Sequence, residues 1–595
     1  MLVASFVAAG PVTGEGLAPL DVRALPEAWG APGGPGQVDD LAMGHGLPFA
    51  WMGIVAGGVT LKDGLLPAFR PWPGLDEIAA PRAWYDSAAV AIGEDAGWNG
   101  FSASLVELRA LATPPRTRRP QASFTMVNGS SAVDRTGLFL QRGGEDSWLR
   151  GGALTEERSG TGRLEARGQH VWFADLGLRR GAHTFSGAFS QRGSAGGTRR
   201  DATFLDPGGV RPPYAGLEDA AHGEGGSLGW DWERDARALR VTLARSHDHR
   251  ESFESELFDL FAEREAQQNS LAIEASDGDA ARNRGVRLEI TRAKVTRSED
   301  FLTQRPALEA RHASVWLAAR DVRSLLGGRL ETQLGVGHTD APSRRAERIQ
   351  LAPSLVWRRE EGGRRWRAHV GRFVTPLWSD LATGVSAFVQ DTWAAGAGLA
   401  AGSESRQWFE LSGIATETGQ RALLQRWPVR DLSLRYGWTA ERVRIQDALV
   451  QASAGARRGW FGADGSVWSR VRPAGSELAR VDPSLGGRVG AEVRFAVFAG
   501  DLRVRLRFET AWVGDRETEP LEGYFTAPQP LPGYATYAAS AAFTIGDAII
   551  TVRGINLEDV AHPQIWTDPT TPFPGTPAVG STRDVRVELS WPFFN

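Results

Sequence analysis

Apolar and polar residues alternate one by one along much of the C-terminal third of the chain. Within residues 501–513, Leu502, Val504, Leu506 and Phe508 alternate with Arg503, Arg505, Arg507 and Glu509. Successive side chains of a β-strand point to opposite faces, so the pattern predicts a strand with one apolar and one charged face. A single strand of this kind fits either a soluble β-sandwich or a transmembrane barrel whose apolar face meets lipid.

The connections between such strands distinguish the two architectures. Two predicted hairpins, residues 488–513 and 534–556, each turn within two or three residues. Long stretches rich in Pro, Gly and Thr, residues 514–533 and 558–582, follow them. Bacterial outer-membrane barrels alternate short periplasmic turns with long extracellular loops in this way. The pattern therefore favours an all-β transmembrane fold, a large antiparallel barrel.

The same alternation recurs upstream, although less regularly. From about residue 115 onward the chain has room for roughly 20 to 24 strands of ~10 residues, and we expect about 22. The candidate strands are residues 137–142, 170–178, 239–245, 285–292, 313–320, 329–337, 365–372 and 431–438. The predicted extracellular loops are residues 200–225, 247–284, 376–404 and 471–486.

The two ends of the chain differ from the middle. Residues 1–10 (MLVASFVAAG) are similar to the apolar and cleavage parts of a signal peptide and could be its remnant. Residues 11–114 are rich in Gly, Pro and Ala without strand alternation, which predicts a small plug-like domain before a barrel at 115–595. Residues 583–594 form an amphipathic strand ending at Phe594, which resembles the C-terminal signal recognised by the barrel-assembly machinery.

Composition narrows the possible functions. The chain has no cysteine, which excludes disulfides and thiol chemistry, and its net charge of −4 gives no case for nucleic acid. The chain contains no stretch of about 18 apolar residues, so its sequence predicts no membrane-spanning helix. The 22 tryptophans fit aromatic girdles at a membrane interface. Candidates for girdles or loop cores are Trp438, Trp460, Trp468, Trp512 and Trp591.

Three passages of the predicted barrel resemble TonB-dependent receptors. Residues 351–381 contain a Pro-bearing strand, a charged turn and a strand that runs into Gly-Arg-Phe-x-x-Pro. Residues 531–559 are similar to the penultimate hairpin of the family and end in Asn-Leu-x-Asp, and the final loop and strand also match. The motif positions that carry the resemblance are Gly371, Arg372, Phe373, Pro376, Leu377, Asn556, Leu557, Asp559 and Phe594.

A fourth passage resembles the plug of that family. Residues 59–67 (VTLKDGLLP) are similar to its strand and turn through Asp63 and Gly64. The Arg-Gly and Glu-Val-x-x-Gly-Pro elements of the family plug are not recognisable. Residues 20–25 (LDVRAL) are the only extended candidate for the segment that binds TonB.

The resemblance implies a monomeric receptor in outer-membrane lipid that imports a bulky or scarce solute. Its N-terminal plug would close the barrel, and TonB with its inner-membrane motor would supply the energy. The ligand is expected to be a small molecule or an oligomer, and the loop sequences do not identify it. No cofactor is expected. A passive channel or structural barrel without TonB coupling stays open as the alternative.

Residues with catalytic or metal-ligating chemistry are few. Residues 225–229 (GGSLG) match Gly-x-Ser-x-Gly, but a nucleophile elbow needs a strand before it and a helix after it. His247 and His249, followed by Glu251, would share one face of a strand, where solvated side chains are the favoured interpretation over a metal site. We therefore predict no catalytic and no metal residues. The Arg503, Arg505 and Arg507 row is a candidate for polar lumen lining, plug contact or attraction of an anionic solute.

Overall fold

The computed structural model describes most of the chain from residue 120 onward and short segments before it. The described residues are 59–62, 85–90, 96–99, 106–110, 120–129, 133–144, 146–158, 167–197, 217–254, 260–279, 282–301, 303–304, 308–340, 349–379, 386–403, 406–428, 434–441, 445–471, 484–517, 530–559, 563–567, 577–579 and 583–593. Residues 1–10 and 20–25, Asp63, Gly64 and Phe594 lie outside these ranges.

The N-terminal part contributes three strands and one short helix. These are β1 (Val59–Lys62), β2 (Tyr85–Val90), α1 (Ala96–Asn99) and β3 (Val106–Ala110). The strands form one sheet in the order β1-β3-β2, with β1 parallel and β2 antiparallel to β3. In the described ranges, no helix has the length and apolar character needed to cross a membrane.

From residue 121 onward, 22 strands close into one antiparallel barrel. Its strands are β4 (Gln121–Gly129), β5 (Val133–Gly143), β6 (Ser147–Arg158), β7 (Arg167–Arg180), β8 (His183–Gly197), β9 (Leu217–Arg234), β10 (Arg237–Glu254), β11 (Leu260–Gly278), β12 (Asn283–Phe301), β14 (Leu308–Leu325), β15 (Gly328–Thr339), β16 (Ile349–Glu361), β17 (Arg364–Ser379), β18 (Ser386–Ser403), β19 (Gln407–Pro428), β21 (Ile445–Arg458), β22 (Phe461–Val471), β23 (Leu485–Val497), β24 (Leu502–Val513), β27 (Tyr534–Ile545), β28 (Ala548–Ile555) and β31 (Asp584–Phe593). Closure joins the last strand to the first, with Phe593 opposite Ala122, so neither strand is left as an unpaired edge.

The structure also contains short strands that are not among the 22 barrel strands. They are β13 (Thr303–Gln304), β20 (Leu434–Glu441), β25 (Arg516–Glu517), β26 (Pro530–Leu531), β29 (Pro563–Thr567) and β30 (Pro577–Val579). Strands β25 and β26 pair with each other, as do β29 and β30, inside the two longest C-terminal connections. These connections join β24 to β27 and β28 to β31.

Connections at the two ends of the barrel differ in length. At one end, hereafter the turn end, hairpins turn within two residues, as at 181–182, 235–236, 326–327 and 546–547. Gly181 and Gly546 take positive φ values of 62° and 57° there, a conformation that glycine adopts at little cost. The opposite, loop end carries the long connections, and the predicted alternation of short turns and long loops is confirmed.

The distribution of polarity is the reverse of that in a soluble protein. On β14, Val315 and Leu317 are 42% and 56% exposed on the outer face, whereas Ser314 and Trp316 are buried on the inner face. Buried polar side chains line the interior on many strands, among them Thr125, Gln268, Glu289, Gln333, Ser466 and Glu492. A surface made of Leu, Val and aromatic side chains is stable in lipid and not in water. The predicted transmembrane barrel is therefore confirmed.

Four details differ from the sequence predictions. The predicted loop 247–284 contains the upper part of β10 and all of β11 up to Gly278, and the predicted loop 376–404 contains β18. The outer positions of β18 include small alanines, and residues 263–270 of β11 have polar side chains on both faces, so neither strand shows the expected contrast. The predicted strand 431–438 overlaps β20, which pairs with the loop-end extension of β19. Trp468 is 2% exposed, so it is not part of a lipid-facing girdle, unlike Trp591 at 52%.

Candidate functional site

The helix α1 lies inside the barrel against the inner faces of β14, β15 and β16. Trp98 is only 7% exposed, and its backbone N–H donates to Gln333 Oε1 over 2.9 Å. Trp316 Nε1 donates to the carbonyl of Gly97 over 3.3 Å, and the guanidinium of Arg320 lies 4.5 Å from the centre of the Trp98 ring. An N-terminal segment is thus anchored within the lumen. We call Trp98, Trp316, Arg320, Glu331 and Gln333 the docking site.

Glycines allow this close approach. A Cβ atom on Gly335 would lie 2.1 Å from the Trp316 ring and 2.4 Å from the Gly97 carbonyl oxygen. A Cβ atom on Gly97 would lie 2.8 Å from the backbone oxygen of Ala352. Distances below 3.0 Å cannot be accommodated without a shift of the helix or the wall, so both positions require glycine.

A network of polar side chains supports the docking site from the barrel wall. Gln333 Nε2 donates to Glu331 Oε1 over 3.0 Å, and Gln333 Oε1 also accepts from the hydroxyl of Ser354 over 3.0 Å. The buried Glu331 carboxylate pairs with Arg358 at 3.2 Å and with Arg320 at 3.7 Å. Charged and amide groups of this kind are costly to leave without partners, so they hold the helix in one position. Water can replace the same bonds if the segment moves away.

A second polar cluster covers the inner face of β21 to β24. Glu492 is 4% exposed and accepts from Arg494 and Arg505, each at 2.6 Å, and from Arg457 at 3.1 Å. One carboxylate therefore holds three guanidinium groups together.

Arg507 extends this cluster towards the loop end. Its guanidinium binds Asp464 through two bonds of 2.6 and 2.9 Å and reaches Glu509 at 2.9 Å. Glu509 also lies 3.9 Å from Arg488. The arginine wall, as we name it, consists of Arg457, Arg488, Arg494, Arg505 and Arg507 with Asp464, Glu492 and Glu509. Five arginines and three carboxylates of this network face the lumen.

Of the predicted Arg503, Arg505 and Arg507 row, the last two are therefore part of an ion-pair network on the lumen wall. Polar lumen lining accounts for their geometry. The N-terminal helix docks on a different part of the barrel.

The family-motif positions lie where strands are held together. Gly371 pairs with Ser354, and Arg372 Nη1 donates to the carbonyl of Leu351 over 2.9 Å, tying β17 to β16. Phe373 and Pro376 belong to the same strand and pair with Thr392 and Val389 of β18.

The Asn-Leu-x-Asp motif caps β28 at the loop end. Asn556 and Asp559 have positive φ values of 52° and 57°, and the Asp559 N–H donates to the Asn556 carbonyl over 2.9 Å. Leu557 N–H donates to the Tyr537 carbonyl at 3.0 Å, and Asp559 Oδ1 accepts from Arg583 N–H at 2.9 Å. The motif thus connects the penultimate hairpin to the start of the last strand.

The residues considered for chemistry lie in barrel strands. Gly225–Gly229 is inside β9, so Ser227 has no helix after it and no nucleophile elbow forms. His247 and His249 share the outer face of β10 as expected, but they contact different carboxylates, Glu265 at 3.0 Å and Glu251 at 2.9 Å. In the part of the chain that the structure describes, no group of three or more His, Asp or Glu side chains could hold a metal ion.

Known proteins are similar to the chain in structure and not in sequence. No protein-family model matches the chain, and no curated protein matches its sequence. The ferripyoverdine receptor of the Pseudomonas aeruginosa outer membrane has a TM-score of 0.68 at 10% identity, over 91% of this chain and 81% of the receptor. The iron transporter FrpB of Neisseria meningitidis has a TM-score of 0.67 at 10% identity, over 91% of this chain and 93% of FrpB. FyuA, the ferric yersiniabactin uptake receptor of Yersinia pestis, has a TM-score of 0.62 at 15% identity, over 84% of each chain.

The chain has the fold of a TonB-dependent receptor. A closed antiparallel barrel with an apolar outer face is the architecture of outer-membrane proteins, which agrees with the predicted location. In this membrane the turn end faces the periplasm and the loop end faces the exterior. The three similar proteins named above are receptors and a transporter.

Replacing Glu492 by glutamine removes the shared partner of three arginines. Removal of a fully buried partner costs about 3–5 kcal/mol, but these arginines are more than a third exposed, so we expect a loss of about 1–2 kcal/mol. The measurement is the free energy of unfolding in urea, followed by tryptophan fluorescence in lipid vesicles. Glu361→Gln is the matched control, because Glu361 is 63% exposed and its ion pair with Arg359 lies beside a turn. Equal losses in the two variants would contradict a structural role for the wall.

Proposed function

We propose that the chain is a gated outer-membrane receptor that imports a bulky or scarce solute, with residues 11–114 as the plug. The observation that carries this proposal is the anchoring of α1 inside the barrel through Trp98 and Gln333. Barrels of 22 strands are wide enough to leave an open channel unless a plug fills them. A segment bound to the inner wall is what such a plug requires.

The cluster of guanidinium groups in the arginine wall supports an anionic solute. Five guanidinium groups clustered on one part of a confined lumen offer charged hydrogen-bond donors to an anion, and low-dielectric walls strengthen this attraction. The structurally similar proteins include receptors for ferripyoverdine and ferric yersiniabactin. We therefore infer that the solute class of this chain is an anionic metal chelate.

Energy from TonB and its inner-membrane motor completes the proposal. A lumen closed by a docked segment blocks passive entry, so an external force must displace the segment before a solute passes. The docking site is suited to such displacement, because the hydrogen bonds that hold α1 are few and water can replace them when the segment moves. The alternative is a passive or structural barrel without TonB coupling, in which the N-terminal segment is not displaced.

Uptake in living cells tests the proposal. The chain is expressed in a Gram-negative host that lacks its own iron receptors, under iron limitation, with a panel of anionic ferric chelates. We expect at least one chelate to restore growth in a host with functional TonB and not in an otherwise identical host without it. Equal growth in both hosts would contradict energised import and favour the passive channel.

A further inference from the structure

On the outer face of strands β10, β11, β12 and β14, the strand register arranges the side chains in rows that run across the four strands. Three apolar rows lie in the middle of this face: Leu239, Ala275, Val286 and Ala319; Val241, Ile273, Leu288 and Leu317; and Leu243, Leu271, Ile290 and Val315. Each of these rows runs directly across the four strands. They form the band that contacts the hydrocarbon of the membrane.

The row at the turn end of this band is electrically balanced. It consists of Arg237, Asp277, Arg284 and Asp321, in alternating order across the four strands. Arg237 lies 3.5 Å from Asp277, and Arg284 lies 3.3 Å from Asp321. Each arginine of this row therefore has a carboxylate of the protein as its partner.

The row at the loop end of the band is not balanced. It consists of Arg245, Asn269, Arg292 and Ala313, so the two positions that hold aspartates at the turn end are neutral here. Both arginines are exposed. Among the residues that the structure describes, neither guanidinium forms an ion pair with a carboxylate.

The next row towards the loop end adds two cations. Lys294 and Arg311 are 45% and 78% exposed, and both contact the single carboxylate of Glu309, at 3.2 and 2.6 Å. The carboxylates of Glu224 and Glu265 in the neighbourhood lie beside His247, at 3.8 and 3.0 Å. The cationic patch is defined as Arg245, Arg292, Lys294 and Arg311. Its four cations outnumber the described carboxylates beside them, Glu224, Glu265 and Glu309, of which Glu265 also interacts with Lys294.

The height of the patch places it at the outer leaflet. Arg237 and Arg245 lie eight residues apart on one face, about 27 Å along the strand at a rise of ~3.4 Å per residue. Because barrel strands are tilted, this length spans most of the hydrocarbon thickness. The balanced row therefore meets the periplasmic leaflet, and the cationic patch meets the headgroup region of the outer leaflet.

We propose that the cationic patch binds the phosphate groups of a phosphorylated glycolipid in the outer leaflet. Arg245 and Arg292 are two strands apart, about 9.6 Å, and each guanidinium can bind a phosphate through two parallel hydrogen bonds. Asn269 between them offers an amide that bonds sugar hydroxyls, while the acyl chains lie along the apolar rows below. This site is on the outside of the barrel and is independent of the proposed import through the lumen.

A lipid-binding experiment with a matched pair of variants tests the proposal. The full chain, purified in a neutral detergent, is titrated with bisphosphorylated lipid A, and bound lipid is measured by native mass spectrometry. Arg245→Gln together with Arg292→Gln is compared with Arg237→Gln together with Arg284→Gln. The second pair removes the same charge from the turn end, and heat-modifiable gel migration confirms that both variants are folded.

We expect the loop-end pair to weaken lipid A binding at least about tenfold, since each lost guanidinium removes a charge-assisted bond to phosphate. The turn-end pair is expected to bind within about twofold of the unchanged chain. Inorganic phosphate and phosphatidylglycerol should not displace lipid A at equal concentration. Equal affinity of the two variant pairs, or displacement by phosphatidylglycerol at equal concentration, would overturn the proposal.

Discussion

Replacing Trp98 by alanine is expected to turn a closed barrel into a leaky one. Trp98 is buried between the barrel wall and Arg320, in a cluster with Trp316, Ala318, Ala352 and Val374. Truncating a buried tryptophan to alanine costs about 3–5 kcal/mol. Here we expect the loss to weaken the docking of α1 and not the stability of the barrel. Liposomes that contain the variant should swell in sugar solutions much faster than liposomes that contain the unchanged chain.

Trp460→Ala is the control for this substitution. Trp460 lies in the turn between β21 and β22 and is 67% exposed, so its removal leaves the docking site intact. We expect its liposomes to swell at the rate of the unchanged chain. If Trp98→Ala also leaves the swelling rate unchanged, the contact between α1 and the wall does not contribute to closure.

Replacing Leu317 by arginine is expected to destabilise the barrel by about 2–4 kcal/mol. Leu317 is 56% exposed on the outer face and belongs to the central apolar row, halfway between the two polar rows. An arginine there must leave its charge in hydrocarbon or thin the membrane around it. The measurement is the free energy of unfolding in urea from lipid vesicles.

Leu326→Arg is the matched control on the same hairpin. Leu326 is 77% exposed in the turn between β14 and β15, where an arginine reaches water. Its free energy of unfolding should change by less than about 0.5 kcal/mol. A similar loss at both positions would show that the outer face of β14 is not in contact with lipid.

The strands at the C-terminal end were predictable because lipid on one side and a polar lumen on the other impose strict alternation. Residues 501–509 show this contrast at every position, and they form most of β24. Strands β11 and β18 were placed in loops, because parts of them lie above the hydrocarbon or have small outer side chains. The alternation then fails although the hydrogen-bonded strand continues.

The docking site could not be predicted, because its members are far apart in the sequence. Trp98 and Gln333, which share a hydrogen bond, are separated by 235 positions. One signal was available in the strand around Trp316. Val315 and Leu317 face lipid, so Trp316 must face the lumen, and a large aromatic side chain on a polar wall needs a partner to cover it.

The lumen-facing position of the arginines in the arginine wall could be predicted, but their partners could not. Alternation placed Arg505 and Arg507 on one face, and the barrel hypothesis made that face the lumen. Their partners Glu492 and Asp464 come from neighbouring strands, and only the register of β22, β23 and β24 brings them together. A one-residue change in that register would turn these charges towards lipid.

Planar-bilayer conductance of the unchanged full chain tests the central claim, that an N-terminal segment closes a 22-strand barrel. Heat-modifiable gel migration of the same sample shows first that the barrel is folded. We predict that the folded chain inserts and stays electrically silent, because the segment anchored at the docking site occludes the lumen. A large, steady conductance from the folded chain would contradict this account and establish a passive channel.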